Sequence, residues 1–409
     1  MTYPPNVSSG DGNFTAHYPH LERAEQIFTD YIQPGVCIFG IMCNILNIIV
    51  LTRPKLKESP YTYLLGLAVA DLGVLLMIFI RCGISRRFGA GVYGWQLYNG
   101  YIYLPFANMF SNASVWITVC LTIERWISVT FPLRAKTVCT KQYARKTMLG
   151  VAVVACIINV PRFFTREIVS DNQGSDGRVR YTAVSSDFEQ SKIYETITWI
   201  YIACVHVVPY LTITVLNTCL LRMVYKANRD RAELNETNVT NNITVHVLRE
   251  QRRLTVTCIS IICLFLVCVV PTAFANHPVA YALFGGSQPP EEFFRKSFYR
   301  LLSMVTNTLL TCNLSLNFLL YCLFNQKFYN TLKHTTQCYL YRVFKIYSDK
   351  NSFHRLSYSD KGLNLVTDKV SDKPAALHGL CEDCDIQKKM CDRDCARIYM
   401  DNAATTPIR

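Results

Sequence analysis

Asp71 is a lone carboxylate in the middle of an apolar run, Leu67-Ala68-Val69-Ala70-Asp71-Leu72. At lipid depth such a group is costly unless it is hydrated, paired or ion-bound, so it must face other protein. Asn44, Ser114, Asn313 and Asn317 fall at comparable depth in other apolar runs, and the last two, four residues apart, share a helix face. Together the five offer an oxygen cage for a small cation, or a proton-sensitive hinge; the plainer alternative is interhelical hydrogen bonding. A second charged feature, Glu124-Arg125-Trp126, closes the third apolar run just before Phe131-Pro132-Leu133. An arginine there commonly snorkels toward water, but the contiguous acid makes the pair more specific. No nucleophile-base-orienter set, phosphate-cradling loop or paired membrane carboxylates can be assembled, so no enzyme is expected.

These residues are positioned by seven apolar runs, at 31–52, 61–80, 99–123, 147–163, 196–221, 254–275 and 301–324. Each approaches the roughly 20 residues that cross a bilayer, and backbone without water must be helical. Only 17% of the 409 residues are charged, against about 25% in soluble domains. The expected fold class is therefore an all-α membrane protein, a seven-helix bundle spanning 31–324. It is preceded by a tail over 1–30 and followed by a surface helix over 325–340 and a disordered tail over 341–409.

With the amino terminus outside, the segments facing the cytosol carry 19 basic and 5 acidic residues, and the outer segments carry 12 of each. That bias follows the positive-inside rule. A basic face lying against a membrane suits anionic lipid and an acidic cytosolic partner rather than nucleic acid. The first 30 residues hold no apolar stretch long enough for a cleavable signal. Sequons at Asn6 and Asn13 fit a glycosylated outer tail. Those at Asn235, Asn238 and Asn242 fall in a segment placed in the cytosol, and taken alone they favour the opposite orientation.

With seven spans counted, several motifs acquire a common meaning: Asn44, Leu67–Asp71, Glu124-Arg125-Trp126, Pro209, Phe265 with Pro271, and Asn317-Phe318-Leu319-Leu320-Tyr321. Over about residues 30–335 the chain resembles the rhodopsin-like (class A) G-protein-coupled receptors. The resemblance implies that Arg125 is held inward at rest and meets a heterotrimeric G protein when active, with Tyr321 swinging in to support it. Glu124, Trp126, Phe265, Pro271 and Asn317 belong to the same switch. It implies basic G-protein contacts at Arg222, Lys226, Arg252 and Arg253, exposed when the sixth helix moves outward. It also implies an allosteric sodium ion at Asp71, Ser114, Asn313 and Asn317, with no other cofactor, and arrestin as a further partner of the tail.

Leu51-Thr52-Arg53-Pro54-Lys55, Leu104-Pro105-Phe106-Ala107-Asn108 and Asn159-Val160-Pro161-Arg162-Phe163-Phe164 look like the invertebrate FMRFamide-type neuropeptide receptors. The ligand so implied is a short peptide ending in amidated Arg-Phe, whose arginine meets outer acids such as Glu167, Glu189 or Glu195. Ligand contacts are expected from Tyr103, Ala107, Asn108, Ser111, Glu195, Tyr201, Asn276 and Asn307, in a multi-pass protein of the plasma membrane. Ala107 stands where amine receptors carry aspartate, and Thr311 where opsins carry the retinal lysine, which disfavours both ligands. A chemosensory receptor for a non-peptide ligand is the alternative inside the family, and a transporter or channel the alternative outside it.

The chain departs from the family pattern in several places. Gly100 replaces the cysteine of the family's extracellular disulfide and residues 162–195 contain none, so that bridge cannot form; another bridge, through Cys37 or Cys82, is left open by spacing. Val269 replaces the sixth-helix tryptophan. Phe318 replaces the seventh-helix proline, which keeps a backbone hydrogen bond and implies a straighter helix. Gln251 stands where many members carry the acid that holds the arginine, implying a weak resting lock. Most of the 18 cysteines lie within spans, where they act as small apolar filler. Cys338, after the amphipathic Phe324–Leu332 segment, is a lipidation candidate. The tail pairs Cys381/Cys384 and Cys391/Cys395 have near metal-ligand spacing, although the gap between the pairs is short for a zinc ribbon.

Overall fold

The structure is a computed structural model that describes residues 19–88, 92–171, 179–234, 242–286 and 289–341. Asn6, Asn13, Asn235, Asn238 and the four tail cysteines lie outside the described residues.

Seven helices are long and apolar enough to cross a membrane: α1 (Arg23–Leu51), α2 (Ser59–Gly83), α3 (Tyr93–Thr130), α4 (Lys141–Phe164), α5 (Lys192–Met223), α6 (Thr255–Phe274) and α7 (Ser297–Phe324). Each of the seven apolar runs coincides with one of them. Several ends lie beyond the runs; α4 begins at Lys141 because the Thr140 side chain accepts a hydrogen bond from the Tyr143 amide and caps the first turn. Hydropathy does not register that turn, since Lys141, Arg145 and Lys146 are exposed on it. With Phe318 in place of proline, α7 runs as an unbroken α-helix, whereas Pro271 lies inside the helix that contains α6.

Three spans contain a widened π-helical turn, at Phe28–Ile32, Tyr98–Tyr103 and Ala203–Val207. Such turns rotate the residues beyond them relative to a regular helix, and they recur at functional sites. Those of α3 and α5 contain or adjoin Tyr103, Tyr201 and His206.

α3 packs against α2, α4, α5 and α6, while α7 packs against α1, α2 and α6. One apolar cluster joins Val115 and Val119 of α3 to Ile213 of α5 and to Ile262, Phe265 and Val269 of α6. A second joins Cys37, Val74, Leu75, Ile78 and Leu314 across α1, α2 and α7. Close approach depends on small residues. A Cβ added at Gly73 of α2 would lie 2.7 Å from the ring of Phe110 in α3, and one at Gly40 of α1 would lie 2.8 Å from Leu75.

At the end of the bundle away from Arg125, α4 and α5 are joined by a hairpin that the apolar runs did not announce. β1 (Arg166–Asp171) pairs antiparallel with β2 (Arg180–Ser185), in register from Arg166↔Ser185 to Asp171↔Arg180. Tyr101 donates its hydroxyl to the Arg166 carbonyl at 2.6 Å, and the Ala183 amide donates to Gln96 Oε1 at 3.1 Å. Gly100 is buried beneath the hairpin, with the Arg166 Cβ 3.5 Å from where its own Cβ would stand. Hydrogen bonds and ring contacts thus fasten the hairpin to α3 at the place where the family's disulfide would act. Among the described residues, neither Cys37 nor Cys82 takes part in a disulfide.

At the same end, α6 and α7 are linked through two short helices, His277–Phe284 and Pro290–Arg295. They close over an aromatic cluster in which the His277 ring lies 4.4 Å from Phe294 and 5.4 Å from Tyr299. Tyr299 donates its hydroxyl to the Ala275 carbonyl at 3.1 Å. Arg300 of α7 forms a bidentate pair with Glu25 of α1. Residues 1–329 form one compact unit and residues 330–409 a second. Residues 326–341 are helical, and within the second unit the Cys338 sulfur lies 3.8 Å from His334 Nδ1.

Two outcomes follow from this packing. Gly73→Ala should lower the melting temperature of the purified protein by forcing Phe110 aside, an overpacking cost of about 1–3 kcal/mol; an unchanged melting temperature would show that the helices separate freely there. Burial holds the His277 imidazole down at about 4, well below its ordinary value. The native state therefore takes up its proton only at lower pH than the unfolded chain, and stability should fall as pH drops from about 6.5 toward 4. His277→Phe should flatten a plot of melting temperature against pH in that window.

Candidate functional site

The buried carboxylate stands where α2, α3 and α7 converge. Asp71 is fully buried; its Oδ1 accepts from Ser114 Oγ at 2.7 Å and its Oδ2 from Asn317 Nδ2 at 2.8 Å. Asn313 is buried one turn along α7. Asn44 goes elsewhere: its Nδ2 donates to the Gly40 carbonyl at 2.9 Å and to the Leu314 carbonyl at 2.8 Å, tying α1 to α7 rather than joining a cage around Asp71. Around this core lies a set of buried polar atoms with no partner among the described residues: Asn44 Oδ1, both amide atoms of Asn47, Asn317 Oδ1 and the Tyr321 hydroxyl. Each would cost about 1–3 kcal/mol if left dry, so the region is built for water or a small ion. One carboxylate with neutral hydroxyl and amide oxygens is a hard donor set, suited to a light cation rather than a transition metal. Asn47 escapes sequence reasoning, although its spacing of three from Asn44 puts it on the same helix face.

At the Arg125 end, Glu124 Oε1 and Arg125 Nη2 are 2.9 Å apart, and the two side chains are only 5% and 4% exposed. Ser59, the first residue of α2, donates to Glu124 Oε2 at 2.7 Å. Ser128 donates to the Glu124 carbonyl at 2.8 Å and lies 3.5 Å from Arg125 Nη2, while Arg125 Nε is buried with no partner among the described residues. A buried ion pair contributes little net stability, because desolvation offsets its Coulomb attraction. Its use here is to keep a guanidinium out of water in one defined pose. The lock expected to be weak for want of an acid at Gln251 has this local arrangement within α3 and α2; the side chains of Glu250 and Gln251 lie outside the described residues.

Neighbouring residues extend the network. Glu58, beside Ser59, pairs with Lys327 at 2.6 Å, and Asn325 Nδ2 donates to the Tyr61 hydroxyl at 3.2 Å. Tyr321 packs edge-on against Phe328 at 5.4 Å, and Trp126 against Phe131 at 5.7 Å. Arg222, Lys226 and Arg253 are exposed at the helix ends, and Arg252 lies on the same helix as Arg253. Phe265 packs 5.8 Å from Tyr210, between α5 and α6. Ser59 and Glu58 are absent from the sequence-based set, because their partners are 65 and 269 residues away.

At the hairpin end, the expected ligand contacts separate into pairs. Arg81 donates to the Tyr103 hydroxyl at 3.3 Å and its guanidinium lies 4.7 Å from that ring's centre. Tyr201 donates to Asn112 Oδ1 at 3.0 Å. Asn276 Nδ2 lies 3.5 Å from His206 Nε2, whose Nδ1 is 3.1 Å from the Tyr210 hydroxyl. Ala107 is buried and Ser111 half-buried on α3. The Asn108 amide turns back to the Leu104 carbonyl at 2.6 Å, and the Asn307 carbonyl accepts from Thr311. Glu195 is exposed on the first turn of α5, and Glu189 pairs with Arg166 at 3.4 Å. Asn112 and the guanidinium placement of Arg81 and Arg162 are additions that sequence spacing did not supply.

Comparison with known proteins agrees with the seven-helix fold. The family model for the 7 transmembrane receptor (rhodopsin family) matches residues 43–321. The FMRFamide receptor of Drosophila melanogaster is 26% identical over 302 residues, covering 72% of this chain and 51% of that protein. The sex peptide receptor of the same fly is 26% identical over 337 residues, 78% of this chain and 74% of the relative. The thyrotropin-releasing hormone receptor of Mus musculus is 29% identical over 203 residues, 49% of this chain and 50% of the relative. The chain thus spans about half the length of the FMRFamide receptor it matches.

Asn317→Ala should remove one donor from the buried Asp71 carboxylate and leave that oxygen unsatisfied, at a cost of about 1–3 kcal/mol. A thermal melt of the detergent-solubilised variant measures it, and a melting temperature equal to that of the unmodified protein would mean that Asn317 does not support the carboxylate.

Proposed function

The chain belongs to the rhodopsin family of seven-transmembrane receptors, and on that premise we propose that it is a plasma-membrane receptor for a short extracellular neuropeptide, FMRFamide-like in class, that activates a heterotrimeric G protein. The hairpin end and the amino terminus face outward; the Arg125 end, with its basic flanks, faces the cytosol. The observation that carries the reading is the buried Arg125, held by Glu124 and through it by Ser59, at the end of the bundle where basic residues collect. The likeness to the fly FMRFamide receptor supports the ligand class.

Ligand enters among α3, α5, α6 and α7 and contacts the side chains around Tyr103, Ala107, Asn108, Ser111, Glu195, Tyr201, Asn276 and Asn307. Binding favours a pre-existing form in which α6 has moved outward. Two hinges fit that movement: Pro271 removes a backbone hydrogen bond inside α6, and the Phe265–Tyr210 contact is an apolar surface over which α6 can slide. Arg125 then leaves Glu124 and meets the G protein beside Trp126, Arg222, Lys226, Arg252 and Arg253. Tyr321, whose hydroxyl has no partner among the described residues, then supports the displaced guanidinium. A sodium ion held by Asp71, Ser114, Asn313 and Asn317 favours the resting form. Glycans at Asn6 and Asn13, a lipid at Cys338 and arrestin on the tail complete the proposal.

A panel of amidated peptides applied to cells expressing the receptor tests the ligand class, with G-protein activation as the readout. With an activating peptide in hand, Arg125→Ala should leave peptide binding largely intact and abolish nucleotide exchange. Signalling from the variant equal to that of the unmodified receptor would refute the role given to Arg125.

A further inference from the structure

The half-buried arginine at the hairpin end of α4 has hydrogen-bonding capacity that the described residues do not use. Just past Pro161 the helix tightens into a 3₁₀ turn over Val160–Phe164, which swings Arg162 toward α5. Its guanidinium carbon lies 4.5 Å from the centre of the Tyr201 ring. Its Nε donates to Asn159 Oδ1 at 3.1 Å, and Asn159 is itself fixed by a 2.7 Å bond from Nδ2 to the Ala155 carbonyl. Stacked on a ring and steered through Nε, the group has one orientation. Among the described residues, neither of its terminal amino groups makes a hydrogen bond, and no carboxylate lies within 4 Å.

The polar groups around it are incompletely paired among the described residues. Tyr201 spends its hydroxyl proton on Asn112 Oδ1, and Asn112 Nδ2 is buried with no acceptor among the described residues. The positive charge of Arg162 reaches His206 and Tyr194. Glu189, which also acts on Tyr194, places Oε1 3.4 Å from Arg166 and keeps Oε2 buried with no partner among the described residues; it lies beyond 4 Å from Arg162. A planar fork of N–H donors over an aromatic face, partly withdrawn from water, matches the two oxygens of a carboxylate in geometry and charge.

We infer that Arg162, stacked on Tyr201 and steered by Asn159, is an anion subsite at the hairpin end of the bundle and receives a carboxylate of the ligand, from an acidic side chain or a free carboxyl terminus. The inference rests on the reading of the hairpin end as the ligand side. It adds a requirement that an Arg-Phe-amide terminus does not meet: the ligand must bring an anion as well.

The test uses purified receptor and two probes that differ only in charge, N-acetylphenylalanine and N-acetylphenylalaninamide, with the melting temperature followed against concentration. The free acid should stabilise the receptor at a concentration at least about tenfold below that needed for the amide, as expected for a charge-assisted bond. Arg162→Gln should abolish the difference, while Arg162→Lys, which keeps the charge but loses the fork, should retain part of it. Equal stabilisation by both probes, or an undiminished difference in Arg162→Gln, would overturn the inference. The peptide reading fails by a separate sign: no amidated peptide drives G-protein activation although the difference between the probes persists.

Discussion

A carboxylate at the depth of Asp71 can exist only if three helices meet around it. Ser114 of α3 and Asn317 of α7 each supply one donor, so the approach of α2 to both neighbours is set by hydrogen-bond length rather than by apolar packing alone. The glycines that let α1, α2 and α3 come close serve the same geometry, because a side chain at Gly73 would push Phe110 outward and open the gap. With the ring closed, further polar atoms are trapped: the Asn47 amide, Asn317 Oδ1 and the Tyr321 hydroxyl are buried without partners among the described residues. A core with this much unpaired polarity has free energy to recover by rearranging or by taking up water or an ion. That is the property a switch requires and a purely structural bundle avoids.

The two ends of the bundle are constrained differently. At the Arg125 end, charge is neutralised locally: the arginine by Glu124, Glu124 further by Ser59, and Lys327 by Glu58. The first residues of α2 thus touch both the arginine pair and the segment that follows α7, so a displacement at one is felt at the other. At the hairpin end, the arginines lie over tyrosine rings, Arg81 on Tyr103 and Arg162 on Tyr201, and the acids sit farther out or pair with other bases. The sequence expectation for recognition sought acids to meet a ligand's arginine. Of the carboxylates named for that role, Glu195 is exposed, and Glu189 meets Arg166 through Oε1 while its Oε2 has no partner among the described residues.

How much of this was legible in the sequence depends on the range of the interaction involved. Apolar runs are a local property, and all seven appear as helices near their expected positions; the start of α4 differs because a capped, basic first turn carries no hydropathy signal. Asp71, Ser114 and Asn317 could be grouped because each is a polar exception in an apolar context. The same logic placed Asn44 with them, yet its amide is spent on the Gly40 and Leu314 carbonyls, and no pattern of residue types reveals which neighbour an amide will choose. Ser59, Asn112 and the placement of Arg162 were illegible for a related reason, since their partners are distant in sequence or lie on another helix. The hairpin was hidden by its brevity. Six-residue strands of mixed polarity on the rim of a bundle differ little from any polar loop until Tyr101 and Gln96 are seen to hold them.

The central claim is that Arg125 and Glu124 form a closed resting state from which α6 departs. Pulsed electron–electron spin resonance between labels at Leu133 and Arg253, both exposed, measures it most directly, with the receptor alone and with nucleotide-free heterotrimeric G protein. The account predicts a longer distance in the presence of the G protein, and an intermediate shift when Glu124→Ala loosens the pair in the receptor alone. A distance distribution that is the same in all three samples would contradict it.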